Sequence, residues 1–233
     1  MSKIVASLAA RSDAVADAYI RKRYTILFYS LLLTLVASPL FAALHWKTTA
    51  IELLLAATLL IAVLPVRTVS VRWILWILIA LALAGRFLTA HFGYTFSWFN
   101  LGVFTLVGLV AAVNALRFAL KAAAISGGHI YAALSAYLLA GLSFGILYWV
   151  VERALPGSLL YGGAVVDHFS EANGIYFSFV TLATLGYGDY VPKAELARGL
   201  AILEAVAGQL YLGVMVARLI SLYVSGSAAK KES

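Results

Sequence analysis

Six stretches of almost uninterrupted apolar residues limit what this chain can fold into. A transmembrane helix needs about 20 such residues, whereas a membrane β-strand alternates over about ten, and these stretches do not alternate. Hydrophobic residues make up 64% of the chain and charged residues 12%, which is too apolar for a soluble domain. The sequence therefore predicts an all-α membrane protein with six transmembrane helices. The predicted spans are Tyr24–Leu44, Ala50–Val66, Val71–Ala90, Leu101–Leu120, Ile130–Val151 and Leu196–Val224.

Basic residues cluster at alternate ends of these spans, so that most fall on one side of the membrane. Such an excess marks the cytoplasmic side and places both termini there. Because the charges are dispersed at membrane edges, a nucleic-acid partner is not expected. The compact layout favours the plasma membrane of a prokaryote. The clusters are Arg21–Arg23, Arg67 with Arg72, Arg117 with Lys121, and Lys230 with Lys231.

The chain divides into four predicted segments. Residues 1–23 form a cytoplasmic segment, either an amphipathic helix on the membrane surface or a frayed helix. Residues 24–125 form a peripheral four-helix domain, 126–225 a pore domain, and 226–233 a cytoplasmic tail. A voltage sensor carries a basic residue at every third position of its fourth helix. Leu101–Leu116 has none, so voltage gating by a standard sensor is not expected.

The last third of the chain contains an apolar stretch too short to span, Ala172–Ala183, followed by Thr-Leu-Gly-Tyr-Gly-Asp at 184–189. A re-entrant helix of this length ends inside the bilayer and leaves irregular backbone there, which is tolerated only when it is buried or lines a water-filled cavity. Gly186 and Gly188 permit positive φ angles. Four copies of such a segment around an axis form rings of carbonyl oxygens that replace the hydration shell of a cation.

The run Phe179–Asp189, Phe-Val-Thr-Leu-Ala-Thr-Leu-Gly-Tyr-Gly-Asp, resembles the pore signature of the potassium channel family, and the likeness covers roughly residues 130–225. The resemblance implies a homotetramer in a lipid bilayer. It also implies that K⁺ binds to the backbone oxygens of Thr184, Leu185, Gly186 and Tyr187, with the Thr184 hydroxyl as the innermost ligand. Leu185 stands where valine is usual.

Other residues are expected to support this filter. The resemblance implies that Gly188 and Asp189 shape its outer mouth. Tyr176 stands where a tryptophan is common in the family, and is expected either to hold Asp189 by a hydrogen bond or to anchor at the membrane interface. Glu204 is an intramembrane carboxyl and thus a functional candidate. It is expected to accept from Ser178 or Thr181 or to carry a proton, and to stabilise the filter or sense protons.

Gating is assigned to the last span. Gly208 stands where related channels have a hinge glycine; the alternative is close helix packing. One helical stripe follows it and is expected to line the cavity, with an apolar constriction near its end, or else to face lipid or other helices. The stripe consists of Gln209, Leu212, Val216, Ile220 and Val224.

Three functions are compared. A potassium-selective channel that conducts K⁺ passively fits the intact Gly-Tyr-Gly at 186–188. A weakly selective cation channel is the first alternative. A subunit of a potassium uptake transporter is the second, although such chains carry four different pore loops and this one has one. An enzyme is not expected, because no nucleophile, base or metal ligands converge within the spans.

Overall fold

The computed structural model describes residues 22–37, 40, 57–58, 60–61, 73, 75–77, 79–80, 97–121 and 127–231. Side chains are described within these ranges except those of 97–101, 103–104, 219 and 222–231. The predicted N-terminal segment up to residue 21 and most of the second and third predicted spans lie outside the described residues.

Helices form most of the described chain. A first helix covers residues 22–37, and a second covers Ser97–Leu120. Three further helices follow in chain order and are called the outer helix (Gly127–Ala154), the pore helix (Glu171–Leu182) and the inner helix (Glu195–Lys231). Within the described residues, the outer helix and the 195–218 part of the inner helix are long and apolar enough to cross a membrane.

The inner helix is longer than the sequence predicted. It does not stop near Val224 but continues to Lys231, so most of the predicted tail 226–233 is helical. Residues in that tail such as Ala228, Ala229 and Lys230 are good helix formers, and the two preceding serines and the glycine do not interrupt the hydrogen bonds of an established helix.

A small antiparallel sheet corrects the all-α expectation. Strands β1 (Leu159–Tyr161), β2 (Ala164–Val165) and β3 (Tyr190–Pro192) pair in the order β2-β1-β3. Gly162 and Gly163 join β1 to β2 with φ angles of 56° and 87°, as a two-residue hairpin turn requires. The sheet connects the segment after the outer helix to the segment that follows residues 184–189.

Glycines allow the outer helix and the pore helix to touch at their backbones. A Cβ atom on Gly145 would lie 2.6 Å from Ile175 Cα, and one on Gly141 would lie 2.6 Å from the Phe179 ring. Gly174 faces Gly145 across the contact, and its Cβ would lie 3.3 Å from the Gly145 carbonyl carbon. Small residues spaced four apart permit such close approach between membrane helices. The position of the pore helix is therefore set by the outer helix.

An aromatic column joins the outer helix to the peripheral helices. The Tyr24 ring stacks on Phe118 with centroids 4.6 Å apart, and Phe118 stacks on His129 at 4.7 Å. The Arg23 guanidinium lies 5.1 Å from the Tyr24 centroid, within the range of a cation–π interaction. These residues lie at the start of the first helix, the end of the second and the start of the outer helix, so the three ends are held together.

Candidate functional site

The pore helix begins at a strong start signal. Ser170 is its N-cap, and the serine hydroxyl accepts from the Asn173 backbone N–H at 3.2 Å. Glu171 follows in the first turn, where a negative charge interacts favourably with the helix dipole. The opposite, partially negative end of this helix then points toward residues 184–189.

The pore helix ends in a Schellman motif that also begins the candidate filter. The Leu185 N–H donates to Val180 O and the Thr184 N–H donates to Thr181 O, both at 2.9 Å. These are the two hydrogen bonds of that motif, in which the residue after the C-cap is left-handed. Thr184 occupies that position with φ = 56°, although glycine is usual there. The conformation of the first filter residue is thus a consequence of how the helix ends.

Left-handed backbone recurs at every second residue of the segment. Thr184, Gly186 and Gly188 have φ angles of 56°, 57° and 78°, and the two residues between them do not have positive φ. The sequence predicted this conformation at both glycines but not at Thr184, because β-branched residues rarely adopt it. Among the described residues Thr184 alone combines a side chain with positive φ.

The N–H groups of the segment turn back onto the pore helix. Gly186 N–H also approaches Val180 O at 3.4 Å, in addition to the two hydrogen bonds of the Schellman motif. In the described part of the chain, no backbone N–H donates to the carbonyl oxygens of residues 184–187. Those oxygens are therefore left available for a ligand.

Asp189 fixes the outer end of the segment. Its Oδ2 accepts from the Tyr176 hydroxyl at 2.7 Å, which is the hydrogen bond expected from the sequence, and its Oδ1 accepts from the Tyr190 N–H at 2.9 Å. Its carbonyl oxygen accepts from the Gly162 N–H at 3.0 Å. The segment is thereby attached to the pore helix on one side and to the β1–β2 turn on the other.

The hydrogen bond from Tyr176 lowers the pKa of Asp189, because it stabilises the ionised carboxylate. We therefore expect Tyr176→Phe to raise that pKa. A carboxyl whose pKa is lowered by folding stabilises the fold above its ordinary pKa, and this stabilisation is lost as the pH falls through the lowered value. The loss of thermal stability on acidification should consequently begin at a higher pH in the variant. The control is Tyr161→Phe, which removes a nearby exposed hydroxyl that does not bond Asp189. Identical profiles for Tyr176→Phe and the native chain would contradict the expectation.

Glu152 attaches the sheet to the outer helix. Its Oε1 accepts from the Gly157 N–H at 2.7 Å and its Oε2 accepts from the Leu159 N–H at 2.8 Å. The side chain is buried and lies near the helix C-terminus. The sequence analysis did not single it out. It directly follows the predicted span Ile130–Val151, and an acidic residue at a helix C-terminus, where a basic residue is favoured, is a usable signal.

Glu204 is fully buried behind the pore helix. Its Oε2 accepts from the Tyr148 hydroxyl at 2.8 Å, and its Oε1 contacts the Ser178 hydroxyl. The Ser178 hydroxyl oxygen also lies 2.7 Å from Gly141 O. Of the two partners expected from the sequence, the structure selects Ser178 and not Thr181. It adds Tyr148, so a single polar cluster connects the outer, pore and inner helices.

Gly208 packs against the end of the pore helix. A Cβ atom there would lie 2.5 Å from Leu182 O and 2.9 Å from Leu182 Cδ1. The structure thus supplies the close packing that was the alternative to a hinge. The neighbouring Gln209 donates from Nε2 to the Thr184 hydroxyl oxygen at 3.2 Å. The inner helix therefore contacts the candidate filter at Thr184, the first residue of the filter.

We expect Gly208→Ala to destabilise the protein, because the added methyl group meets backbone rather than a movable side chain. Overpacking of this kind costs about 1–3 kcal/mol. Gly213→Ala is the matched control on the same helix, since a Cβ there has no atom within 4 Å. The control should be neutral or stabilising by up to about 1 kcal/mol. Thermal unfolding in detergent compares the two. Normal stability of Gly208→Ala would contradict the packing role and favour the hinge instead.

The predicted gating stripe is exposed on the single chain. The side chains of Leu212, Val216 and Ile220 are 40%, 53% and 59% exposed, and Gln209 is also exposed. Val224 lies in the inner helix, but its side chain is outside the described residues. Spacings of three and four residues place all these positions on one helix face.

Comparison with known proteins identifies the part of the chain that contains these features. Residues 136–225 match the family described as "Ion channel". The segment is similar to members of this family over less than half of the chain. The matched range begins within the outer helix and includes the pore helix, the 184–189 segment and most of the inner helix. This match agrees with two expectations from the sequence: that the chain is not an enzyme, and that it is a membrane protein.

Three curated relatives of this segment are potassium channels, which confirms the resemblance found in the sequence. The inward rectifier potassium channel Kirbac3.1 of Paramagnetospirillum magnetotacticum is 33% identical over 96 residues, covering 40% of this chain and 28% of the relative. Two pore potassium channel c of Oryza sativa subsp. japonica is 29% identical over 85 residues, covering 36% and 18%. Two-pore potassium channel 4 of Arabidopsis thaliana is 32% identical over 88 residues, covering 38% and 28%.

The chain therefore spans less than a third of the length of each of these relatives. No solved structure matches the chain significantly.

Proposed function

We propose that this protein is a potassium-selective channel that conducts K⁺ passively across a cell membrane through a homotetrameric pore. Backbone carbonyl oxygens of Thr184, Leu185, Gly186 and Tyr187 replace the water around the permeating ion, and the Thr184 hydroxyl adds the innermost ligand. The ion is the transported substrate. The potassium channel relatives of the same segment support this assignment.

The observation that carries the proposal is the alternating backbone of the filter. Left-handed residues at 184, 186 and 188 alternate with residues of ordinary φ, so successive carbonyl groups can project toward the same side of the strand. The N–H groups of 184–186 are already bonded to the pore helix. A strand with its donors engaged and its acceptors available suits a cation and disfavours an anion.

Exposure of filter side chains supports assembly from several copies. Leu185 is 59% and Tyr187 is 69% exposed in the single chain, although both belong to a segment that must lie at membrane depth. Irregular backbone is tolerated there only when other protein covers it or water fills the cavity. One chain carries one filter segment, and four copies around an axis close the carbonyl rings. This arrangement covers the exposed side chains with neighbouring subunits.

The remaining assignments follow from the same arrangement. Tyr176, Gly188 and Asp189 support the outer mouth, and Gln209 polarises the cavity below Thr184. The exposed stripe of Leu212, Val216 and Ile220, together with Val224, lines the cavity. Toward Val224 the cavity narrows to an apolar gate that closes by dewetting. Both termini are cytoplasmic, and the four preceding helices complete a six-span subunit of a prokaryotic membrane.

Recording from purified protein in planar bilayers tests the proposal. With asymmetric KCl and NaCl, the reversal potential is expected to follow the potassium equilibrium potential, because the carbonyl rings bind dehydrated K⁺ in preference to Na⁺. A reversal potential near the sodium value would favour the weakly selective channel instead. Absence of current under all conditions, from protein shown to be tetrameric, would overturn the proposal.

A further inference from the structure

Two buried glutamates of the pore domain, Glu152 and Glu204, have different kinds of partners. Both partners of Glu152 are backbone N–H groups, which can only donate. The partners of Glu204 are the hydroxyl groups of Tyr148 and Ser178, which can donate or accept. The number of protons available at each site therefore indicates whether its carboxyl group is ionised.

At Glu204 the contacts outnumber the hydroxyl protons. Three close oxygen pairs meet there: Tyr148 with Glu204, Ser178 with Glu204, and Ser178 with Gly141 O. Each pair needs one proton between its oxygens, and the hydroxyls of Tyr148 and Ser178 supply only two. An ionised Glu204 would leave two acceptors facing each other without a proton. A neutral Glu204 supplies the third, so that Glu204 donates to Ser178 and Ser178 donates to Gly141 O.

The surroundings of Glu204 do not compensate a negative charge. The residue is 0% exposed. Among the residues described by the structure, no lysine, arginine or histidine forms an ion pair with it. An unpaired buried carboxylate is costly, whereas a carboxylic acid with its hydrogen bonds satisfied is not. Tyr148 on the outer helix and Ser178 on the pore helix are both neutral groups, so neither side chain that bonds Glu204 brings a positive charge to it.

We propose that Glu204 is a neutral carboxylic acid whose proton is donated to Ser178, and that this acid is a positioning residue for the pore helix. The chain of hydrogen bonds runs from the inner helix through Glu204 and Ser178 to Gly141 O on the outer helix, with Tyr148 as a second attachment. It fixes the rotation of the pore helix four residues before that helix ends at Leu182. The protonation state of Glu204 does not depend on the proposed function. The effect of the pore-helix position on the filter rests on that function.

Glu152 serves as the internal comparison. Two backbone N–H donors leave no acceptor for a proton on that carboxyl group, so the ionised form fits its site. Glu152→Gln would place an amide NH₂ against a backbone N–H and should lower thermal stability. Glu204→Gln is expected to be tolerated, since its NH₂ donates to Ser178 and its carbonyl oxygen accepts from Tyr148 in the same geometry as the acid. Glu204→Leu should lower stability because both hydroxyls lose a partner.

Infrared spectroscopy of the purified protein in lipid tests the proton directly and does not depend on conduction. We expect the native protein to show the C=O stretch of a protonated carboxyl group. This band should be absent from Glu204→Gln and present in Glu152→Gln. Ser178→Ala is a second variant that keeps the acid but removes its acceptor. In that variant the band should move to higher frequency, because a weaker hydrogen bond leaves the C=O bond stronger.

Two outcomes would overturn the inference. One is a difference spectrum between the native protein and Glu204→Gln that contains carboxylate bands only, which would mean that Ser178 shares one proton between two acceptors. The other is equal loss of stability in Glu204→Gln and Glu204→Leu, which would show that the hydrogen-bonding pattern of an acid is not what the site requires. A protein with the predicted infrared band but no potassium selectivity would retain the proton assignment and reject the proposed function.

Discussion

Replacing Gly186 with alanine is expected to abolish potassium flux while leaving assembly intact. Gly186 has φ = 57°, where a Cβ atom costs about 1–2 kcal/mol per residue. In the proposed tetramer the substitution occurs four times, so the total strain there would be about 4–8 kcal/mol. Relaxation of the backbone toward ordinary φ would rotate a carbonyl group away from the ion path. Flux of K⁺ or its congener Rb⁺ into proteoliposomes measures the loss.

The control for this variant is Gly102→Ala. Gly102 lies in the 97–120 helix, and a Cβ atom added there would meet no atom of the described residues within 4 Å. Its φ is not positive, so the change should leave flux unchanged. Size-exclusion chromatography in detergent verifies that both variants keep the oligomeric state of the native chain. Unchanged conductance in Gly186→Ala would refute the assignment of the filter.

Replacing Gly145 with leucine is expected to prevent formation of the pore domain. Even the first side-chain atom would lie 2.6 Å from Ile175 Cα and 2.9 Å from Ile175 N, so the outer and pore helices would have to separate. Their separation would also pull Ser178 away from Gly141 O. The cost should exceed the usual overpacking cost of about 1–3 kcal/mol, because backbone cannot move aside as a side chain can. The yield of monodisperse oligomer after purification gives the readout.

Gly127→Leu is the matched control for that variant. Gly127 is the first residue of the same helix and has no atom within 4 Å of its Cβ position. It should purify in normal yield. A normal yield of monodisperse Gly145→Leu would show that the two helices are not held together by this contact.

The outer, pore and inner helices could be predicted from hydropathy, because each contains a long run of apolar residues. The structure extends the predicted Ile130–Val151 span to Gly127–Ala154 and moves the short helix from Ala172–Ala183 to Glu171–Leu182. The sheet could not be predicted, because strands of two or three residues are too short to produce an alternating pattern. Its one visible signal was the Gly162-Gly163 pair, which is typical of a hairpin turn.

In the candidate site, some features follow from the local sequence, whereas others depend on residues far apart in the chain. The glycines at 186 and 188 indicate their backbone conformation, because few other residues adopt it. Thr184 does not, since its positive φ arises from the hydrogen bonds that end the pore helix. The contact between Tyr148 and Glu204 joins residues 56 apart in the chain, and no local pattern predicts it. Gly208 illustrates an ambiguity in sequence: one glycine suits a bend and a tight contact equally, and only coordinates reveal Leu182 beside it.

Three attachments of the inner helix to its neighbours lie between residues 204 and 211. Glu204 and Gly208 hold it to the pore helix, and the Tyr211 hydroxyl donates to Ala133 O on the outer helix. Most side chains described beyond Tyr211 are exposed. These three attachments all lie close to the end of the pore helix. If the proposed tetramer forms, a bend of the inner helix beyond Tyr211 would change the width of the pore while residues 184–187 stay in place, so the duration of openings and the preference for one alkali metal over another would be set by separate parts of the chain.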